Sequence, residues 1–301
     1  MTAKILDGKA LAAEIRAEVR RGVEEFKKKT GTVPGLATIL VGENPASQTY
    51  VANKIKACNE AGMNSLHFPM PASATREQLI ALMKKLNADG KVHGILLQLP
   101  LPENMDSTPV LEALDPNKDA DGLHPCNLGQ LFEYKNWEEM ASGRYPLPCT
   151  PHGIMQVLMR SGITVAGKHA VVLGRSKLVG KPVAMMLQAQ DATVTMCHSR
   201  TKDLAAVCRE ADILVSAIGK PRLVTESMVK EGAVVIDVGI NRSPSGSLCG
   251  DVDFERVRAK CSAITPVPGG IGPMTIAMLL FNTLQLARKS VNSASCRPGN
   301  S

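Results

Sequence analysis

The sequence predicts a two-domain α/β protein, and three observations support this. Short apolar runs at residues 36–41 and 92–99 are separated by segments with helical character, an alternation that favours parallel strands covered by helices. Prolines then crowd residues 146–151, as at a domain boundary. Beyond that point apolar runs and helical segments alternate as in a doubly wound nucleotide-binding domain. The runs lie at residues 170–173, 192–197, 213–217 and 234–238.

Composition favours a small anionic ligand over nucleic acid. The 301 residues are 44% hydrophobic and 21% charged, as in ordinary soluble proteins. The net charge is +7, yet aromatic residues make up only 3%, and the densest basic run, Lys27 to Lys29, ends a predicted helix where cations are favoured. The first residues carry no signal-like apolar run, and no window reaches about eighteen apolar residues without a charge. We therefore expect a cytoplasmic protein with no membrane span and no nucleic-acid partner.

The cysteines give no sign of a metal site. The chain has eight of them, none in a C-x-x-C pair, and the six histidines complete no ligand spacing with them. We expect no metal and no disulfide framework, and we interpret most cysteines as small buried thiols.

Two helices are predicted in the first half from local patterns. Apolar residues spaced by four and then three predict an amphipathic helix over 9–29. Thr75 and Gln78 have the spacing of a capping box, so a helix should begin there and end near residue 87.

Residues 47–56 form the most informative stretch of this half. Ser47 is a candidate N-cap, and on a helix Tyr50 and Lys54 lie one turn apart on the same face. An aromatic plate beside an amine could hold a flat ring and assist proton transfer on it. An ordinary surface pair explains the spacing as well.

Polar residues follow the run at 92–99. In a parallel sheet Gln98 would lie at the carboxyl edge, and its buried amide would need a partner, for which Lys54 is suitable. Asp119 and Asp121, closed by Gly122, could be a plain turn or could place a carboxylate against an N–H-rich ring.

Residues 174–180 resemble a dinucleotide fingerprint with departures. Ser176 stands where the second glycine is expected, and Gly180 comes one residue late. An ordinary tight turn is the alternative. NAD enzymes carry an acidic residue just after the next strand. Here Ser199 and Arg200 occupy that position, and a hydroxyl and a cation there favour binding of the 2′-phosphate of NADP.

The last part of the chain contains a stiff Gly- and Pro-rich segment at 265–275. The helix predicted after it, 274–287, is apolar nearly all round and should dock against the other domain. Thr150 and Pro151 are predicted as N-cap and first residue of an earlier helix, and residues 131–147 as a loop. The tail from 290 to 301 is predicted to be disordered.

In order along residues 3–289, these motifs resemble the bifunctional methylenetetrahydrofolate dehydrogenase/cyclohydrolase family. The loop at 131–147 is the visible departure, since it looks longer than is usual there. The motifs that carry the resemblance are Tyr50-x-x-x-Lys54, Gln98-Leu99-Pro100, Lys118-Asp119-x-Asp121-Gly122, Pro148-Cys149-Thr150-Pro151, Gly174-Arg175-Ser176 and Pro266-Val267-Pro268-Gly269-Gly270-x-Gly272-Pro273-Met274-Thr275.

The resemblance implies a fold and a set of roles. The fold would be an α/β catalytic domain, residues 1–150 joined by a returning C-terminal helix at 274–289, plus a Rossmann-like NADP domain at 151–273. The protein would be a homodimer joined through its nucleotide domains. Tyr50, Lys54 and Gln98 would be catalytic; Ser47, Tyr50, Asp121, Gly270, Gly272, Pro273 and Thr275 would bind folate; Gly174, Arg175, Ser176, Ser199 and Ile240 would contact NADP.

The implied activity is oxidation of 5,10-methylenetetrahydrofolate to the 5,10-methenyl compound, followed by hydrolysis to 10-formyltetrahydrofolate. Three alternatives remain open at this point. One is a dehydrogenase-only relative, against which Lys54 and Gln98 argue. The others are an NADP-dependent oxidoreductase of a small carboxylic acid, and a nucleotide-sensing module that would explain only residues 151–273.

Overall fold

A computed structural model describes residues 3–243 and 246–295. Contacts divide the described chain into two compact units. The six-strand unit comprises the described residues up to Ala13, Gln130–Ser142 and Pro148–Met278. The three-strand unit comprises Glu14–Gly129, Gly143–Leu147 and the described chain from Leu279 onward. Over these residues no helix has both the length and the apolar character that crossing a membrane requires.

Strands and helices alternate as the sequence predicts from β1 to β4 and again from β5 to β7, whereas four helices in a row lie between β4 and β5. The first half contains β1 (Lys4–Ile5), α1 (Gly8–Thr30), β2 (Gly35–Val41), α2 (Pro45–Glu60), β3 (Asn64–Met70), α3 (Arg76–Ala88), β4 (Gly94–Leu97), α4 (Thr108–Glu112), α5 (Pro125–Gln130) and α6 (Trp137–Ala141). The second half contains α7 (Cys149–Arg160), β5 (His169–Leu173), α8 (Gly180–Ala189), β6 (Thr193–Cys197), α9 (Leu204–Arg209), β7 (Ile213–Ser216), a 3₁₀ turn (Glu226–Met228), β8 (Val234–Asp237), β9 (Asn241–Arg242), β10 (Leu248–Cys249), α10 (Phe254–Arg258), β11 (Ala263–Ile264) and α11 (Ile271–Ser295).

The three-strand unit is built on a parallel sheet in the order β3-β2-β4. Every residue of β2 and β4 is buried, which explains their continuous apolar runs. Strand β3 was not predicted. It is an edge strand with alternating burial and contains Pro69, so it lacks the signature of a central strand.

The N-cap of helix α2 lies three residues before Ser47, the N-cap that the sequence predicted. The N-cap is Asn44, whose side chain accepts hydrogen bonds from the N–H groups of Ala46 and Ser47. Asn caps a helix as well as Ser does, and Pro45 occupies the first helical position, where its missing N–H costs nothing. Ser47 is therefore a buried residue of the first turn, and its prediction as N-cap was wrong.

The capping box of α3 is confirmed. Thr75 accepts a hydrogen bond from the Gln78 N–H, and the Gln78 side chain accepts one from the Thr75 N–H. Both donors would otherwise be unpaired at the helix start, so this pair fixes where α3 begins.

The six-strand unit is a parallel sheet in the order β1-β11-β8-β7-β5-β6. From β5 the chain moves outward to β6 and then returns to the other side of β5 as β7. This reversal opens a crevice at the carboxyl ends of β5 and β7, where doubly wound sheets bind ligands. Strands β1 and β11 have two residues each, too short to leave a periodic pattern.

Two segments differ from the sequence prediction between residues 131 and 151. The predicted loop contains the short helix α6, capped by Asn136 and anchored by the buried Met140. Helix α7 begins at Cys149 with Pro148 as its N-cap, so Thr150 is not the cap. The Thr150 hydroxyl instead lies 2.9 Å from the Thr275 hydroxyl, a tertiary contact that local sequence does not reveal.

Helix α11 begins and ends outside its predicted limits. It starts at Ile271, so Gly272 and Pro273 lie in its first turn, where proline is tolerated, and Thr275 lies at the start of the second turn. The chain is helical through Ser295, whereas the sequence predicted disorder from 290; residues 296–301 of that predicted tail lie outside the described residues. As predicted, no residue from 271 to 289 is exposed.

Asn282 ties helix α11 into the three-strand unit. Its side-chain amide donates to the Ala120 carbonyl at 3.0 Å and to the Leu147 carbonyl at 2.8 Å, and the residue is buried. We predict that Asn282→Ala lowers the free energy of unfolding by about 2 to 4 kcal/mol, because it removes two buried hydrogen bonds. Urea unfolding followed by circular dichroism measures this. Ser290→Ala, which alters an exposed residue of the same helix, should change it little, and an equal loss in both variants would contradict the assignment.

Candidate active site and cofactor crevice

One face of helix α2 carries three of the predicted site residues. Ser47, Tyr50 and Lys54 are spaced by three and four residues, so they lie in line along that face. Ser47 and Lys54 are buried, and Tyr50 is half-buried. The face begins directly after β2, at the carboxyl edge of the three-strand sheet.

Lys54 meets Gln98 as the sequence predicts. The Lys54 Nζ donates to Gln98 Oε1 at 3.0 Å, and Gln98 follows directly after β4 at the same edge of the sheet. The Gln98 Nε2 donates to the Leu99 carbonyl at 2.6 Å, which fixes the amide with its oxygen toward the amine. Lys54 is only 8% exposed, and among the described residues no carboxylate lies within ion-pair distance of its Nζ. The amine is thus held by a neutral partner and keeps further donor positions for a ligand.

Asp121 lies in a turn that a second acid organises. The buried Asp119 Oδ2 accepts hydrogen bonds from the His124 N–H at 2.8 Å and from Asn127 Nδ2 at 2.9 Å. Burial raises the pKa of Asp119, and the nearby charge of Asp121 acts in the same direction. Asp121 itself is half-buried, so its carboxylate can face a ligand.

The crevice of the six-strand unit has a backbone that only glycine permits. Gly174, directly after β5, has φ +110°, and a Cβ there would collide with the Ala217 carbonyl after β7. A Cβ at Gly180 would collide with the Gly174 carbonyl. The two glycines thus serve the close approaches that a dinucleotide fingerprint requires, despite the altered spacing.

The other predicted cofactor residues lie around this crevice. Arg175 and Ser176 are exposed in the turn after β5, and the Ser176 hydroxyl accepts hydrogen bonds from the N–H groups of Val179 and Gly180 at 3.1 and 3.4 Å. Ser199 is exposed in the turn after β6. Because the strands are parallel, these turns share the carboxyl edge of the sheet, and the residues present suit a phosphorylated dinucleotide.

Ile240 and the start of α11 adjoin within the six-strand unit. Ile240 follows β8 and is 48% exposed, and its Cδ1 would lie 3.8 Å from a Cβ at Gly272. Gly270 packs so closely against Gly8 that a Cβ at Gly8 would collide with its carbonyl. The structure therefore places a predicted cofactor residue beside the predicted substrate segment Gly270–Thr275.

Sequence reasoning missed two buried acids behind this crevice. Asp237 ends β8 and Asp251 follows β10, and both are almost fully buried. Burial raises the pKa of Asp237 to about 6, and the neighbouring Asp251 charge adds to this rise. The only signal in the sequence was a glycine close to each acid, Gly239 and Gly250, which alone indicates nothing about contacts.

Comparison with known proteins accounts for both halves of the chain. The family model described as tetrahydrofolate dehydrogenase/cyclohydrolase, catalytic domain, matches residues 6–121. The model described as the NAD(P)-binding domain of the same family matches residues 148–291.

Individual relatives match over nearly the whole chain. The bifunctional protein FolD of Moorella thermoacetica is 55% identical over 289 residues, which cover 96% of this chain and 100% of the relative. The crystal structure of the bifunctional FolD methylenetetrahydrofolate dehydrogenase/cyclohydrolase from Campylobacter jejuni matches with a TM-score of 0.90 and 49% identity, over 96% of this chain and 99% of that one. The Trypanosoma brucei enzyme, in a complex with NADP cofactor and inhibitor, matches with a TM-score of 0.91 and 42% identity, over 97% and 99%. These matches show that the chain belongs to the tetrahydrofolate dehydrogenase/cyclohydrolase family.

Proposed function

We propose that this chain oxidises 5,10-methylenetetrahydrofolate to 5,10-methenyltetrahydrofolate with NADP and then hydrolyses the product to 10-formyltetrahydrofolate. The observation that carries the proposal is the buried Lys54 amine, which lies on the same helix face as Tyr50 and is held by Gln98 and, among the described residues, by no acid. Membership of the family accounts for both activities.

In the oxidation, the residues of this chain act by positioning. Tyr50 would stack on the folate, and Asp121 would accept hydrogen bonds from its pterin ring. When bound, NADP supplies the acceptor for the hydride that leaves the one-carbon bridge. Such a transfer needs aligned rings more than acid–base groups, because geometry alone can lower the barrier by several kcal/mol, about 7 to 11 in favourable cases.

In the hydrolysis, Lys54 would assist the water that adds to the methenyl carbon. The amine lies beside Gln98 Oε1, and its remaining hydrogen-bonding positions can orient the water or exchange a proton with it. Gln98 would keep the amine pointed toward the substrate, since its own amide is fixed by the Leu99 carbonyl.

NADP is proposed over NAD because of the cations and hydroxyls around the crevice. Arg175, Ser199 and Arg200 are exposed in the turns after β5 and β6. A guanidinium and hydroxyls suit the 2′-phosphate of NADP, whereas a carboxylate would suit the free ribose hydroxyl of NAD. The bound NADP in the Trypanosoma brucei relative supports this choice.

A homodimer joined through the six-strand units is proposed as the assembly. Several large apolar side chains of this unit are exposed, among them Leu223 at 41% and Leu248, on β10, at 44%. Exposed apolar side chains of this kind are common at protein–protein interfaces. A cytoplasmic location is likewise proposed, from the composition of the chain.

The Lys54 role is tested by Lys54→Met, which keeps the length of the side chain and removes the amine. We expect cyclohydrolase activity to fall about 100-fold or more, as loss of general acid–base help implies. Dehydrogenase activity should remain measurable, so methenyltetrahydrofolate should accumulate while NADPH forms. Both are followed by absorbance in one reaction.

The control for this test is Lys56→Met, which removes an exposed amine from the same helix. It should leave both activities unchanged. If Lys54→Met hydrolyses methenyltetrahydrofolate at the parent rate, Lys54 is not catalytic.

Cofactor choice is tested by Arg175→Ala. The KM for NADP should rise about tenfold or more while the KM for NAD changes little, because a charge-assisted hydrogen bond to the 2′-phosphate is lost. Initial rates with each cofactor measure the ratio. Arg209→Ala, which removes another exposed arginine of the same unit, should leave the ratio unchanged. Comparable efficiency of the parent protein with NAD and NADP would refute the NADP preference.

The Asp121 role is tested by Asp121→Ala. If the carboxylate binds the pterin ring, folate affinity should fall about tenfold or more, as expected for a hydrogen bond to a charged group, and both activities should fall together. Fluorescence titration with a folate and the two rate assays measure this. Glu112→Ala, an exposed acid of the same unit, is the control. Unchanged folate affinity in Asp121→Ala would leave Asp121 as a turn residue only.

A further inference from the structure

Asp251 is a buried anion whose hydrogen bonds come mainly from one backbone turn. Its carboxylate accepts the consecutive N–H groups of Ile218, Gly219 and Lys220, at 2.8, 3.1 and 2.9 Å. The Asn241 side-chain amide donates to it at 2.9 Å, and the Ser216 hydroxyl at 3.3 Å. Its relative exposure is 0%, and among the described residues it forms no ion pair.

The turn that Asp251 holds is one wall of the crevice. Residues 218–220 follow β7 directly, at the point where the strand order reverses. Converging N–H groups of this kind form a concave anion site, and here an internal carboxylate fills it. The preceding Ala217 carbonyl lies so close to Gly174 that a Cβ on Gly174 would collide with it. Asp251 thereby fixes the surface against which the Gly174 turn packs.

The same carboxylate also reaches the second wall. Asn241, which donates to Asp251 Oδ1, is the neighbour of Ile240. Gly239 lies so close that a Cβ there would collide with the Asp251 carboxylate. One buried group therefore holds the segments at 218–220 and 239–241. The first follows Ala217, which packs against Gly174, and the second contains Ile240, a proposed cofactor contact.

The carboxylate of Asp237 fixes the backbone of Asp251. It accepts the N–H groups of Gly239 at 2.9 Å, Asp251 at 2.9 Å and Val252 at 3.0 Å. The backbone of Asp251 is thus as firmly placed as its side chain. A buried, unpaired carboxylate is costly, so its position behind a ligand crevice calls for an explanation beyond packing.

We propose that Asp251 is a positioning residue of the cofactor crevice, which pre-forms both walls for the dinucleotide without touching it. This inference rests on the proposed function, since it takes NADP as the ligand of the crevice. Because Asp251 shapes the backbone and does not face the 2′-phosphate, it should matter equally for NADP and NAD.

The test is Asp251→Asn in the full-length protein. An amide places N–H groups where one carboxylate oxygen stood, so in either orientation at least two donors face another donor. We expect the Kd for NADP, by calorimetry, to rise at least tenfold, and the Kd for NAD to rise by a similar factor. Cyclohydrolase activity on added methenyltetrahydrofolate, without cofactor, should stay within twofold of the parent.

The matched control is Asp212→Asn. Asp212 also accepts a backbone N–H of the same unit, that of His169, but it lies at the amino end of β7, away from the crevice. Asp212→Asn should at most lower the melting temperature, and it should leave the Kd values for NADP and NAD unchanged.

For folded variants, three results would overturn the proposal. They are an unchanged NADP affinity in folded Asp251→Asn, an equal loss in Asp212→Asn, and a cyclohydrolase rate that falls in proportion to NADP affinity. If Asp251→Asn does not fold, Gly239→Ala, whose methyl would displace the carboxylate and the backbone nitrogen of Asp251, must show the same pattern. Failure of both variants to fold makes Asp251 a folding residue and also overturns the proposal. A parent protein that binds neither NADP nor NAD would instead refute the proposed function.

Discussion

The hydrogen bond between Lys54 and Gln98 is the interaction on which the three-strand unit is organised. Because β2 and β4 run parallel, the start of α2 and the residue after β4 meet at one edge of the sheet. A buried amine there needs a partner, and a carboxylate would hold it in an ion pair. Gln98 satisfies one donor and leaves the others for a ligand, because its amide is turned by the Leu99 carbonyl. The neutral partner is thus what allows the lysine to be both buried and available.

In the six-strand unit, backbone N–H groups rather than a side-chain amine need acceptors at the carboxyl edge of the sheet. There, backbone N–H groups after β7 and β8 would be unpaired, and buried acids accept their hydrogen bonds. Burial, together with the charge of the neighbouring Asp251, disfavours the charged form of Asp237 and raises its pKa to about 6. Such an arrangement lowers stability near neutral pH and is retained only where the geometry it enforces has a use. Here the buried acids hold the walls of the proposed cofactor crevice in place.

Periodicity and strand–helix alternation were enough to predict a two-domain α/β fold, because buried parallel strands and amphipathic helices leave strong local patterns. Helix starts were predicted less well. Asn44 competes with Ser47 for the cap of α2, and the Thr150 hydroxyl contacts Thr275, 125 residues away. Strand β3 was missed because an edge strand with a proline lacks a continuous apolar run. The acids Asp237 and Asp251 could not be found at all, since their importance lies in contacts with turns distant in sequence.

The exposure of Ile240 agrees with its proposed role in binding the cofactor. A large aliphatic side chain that is 48% exposed forgoes the stabilisation that burial would provide, roughly 25 cal/mol for each Å². Its neighbour at the start of α11 is Gly272, which has no side chain to cover it. Asp251 accepts a hydrogen bond from the side-chain amide of the adjacent Asn241, which helps to hold this segment in place. An apolar side chain is thus left uncovered beside the crevice; in the proposed complex NADP would pack against it, and burial of Ile240 would contribute to binding.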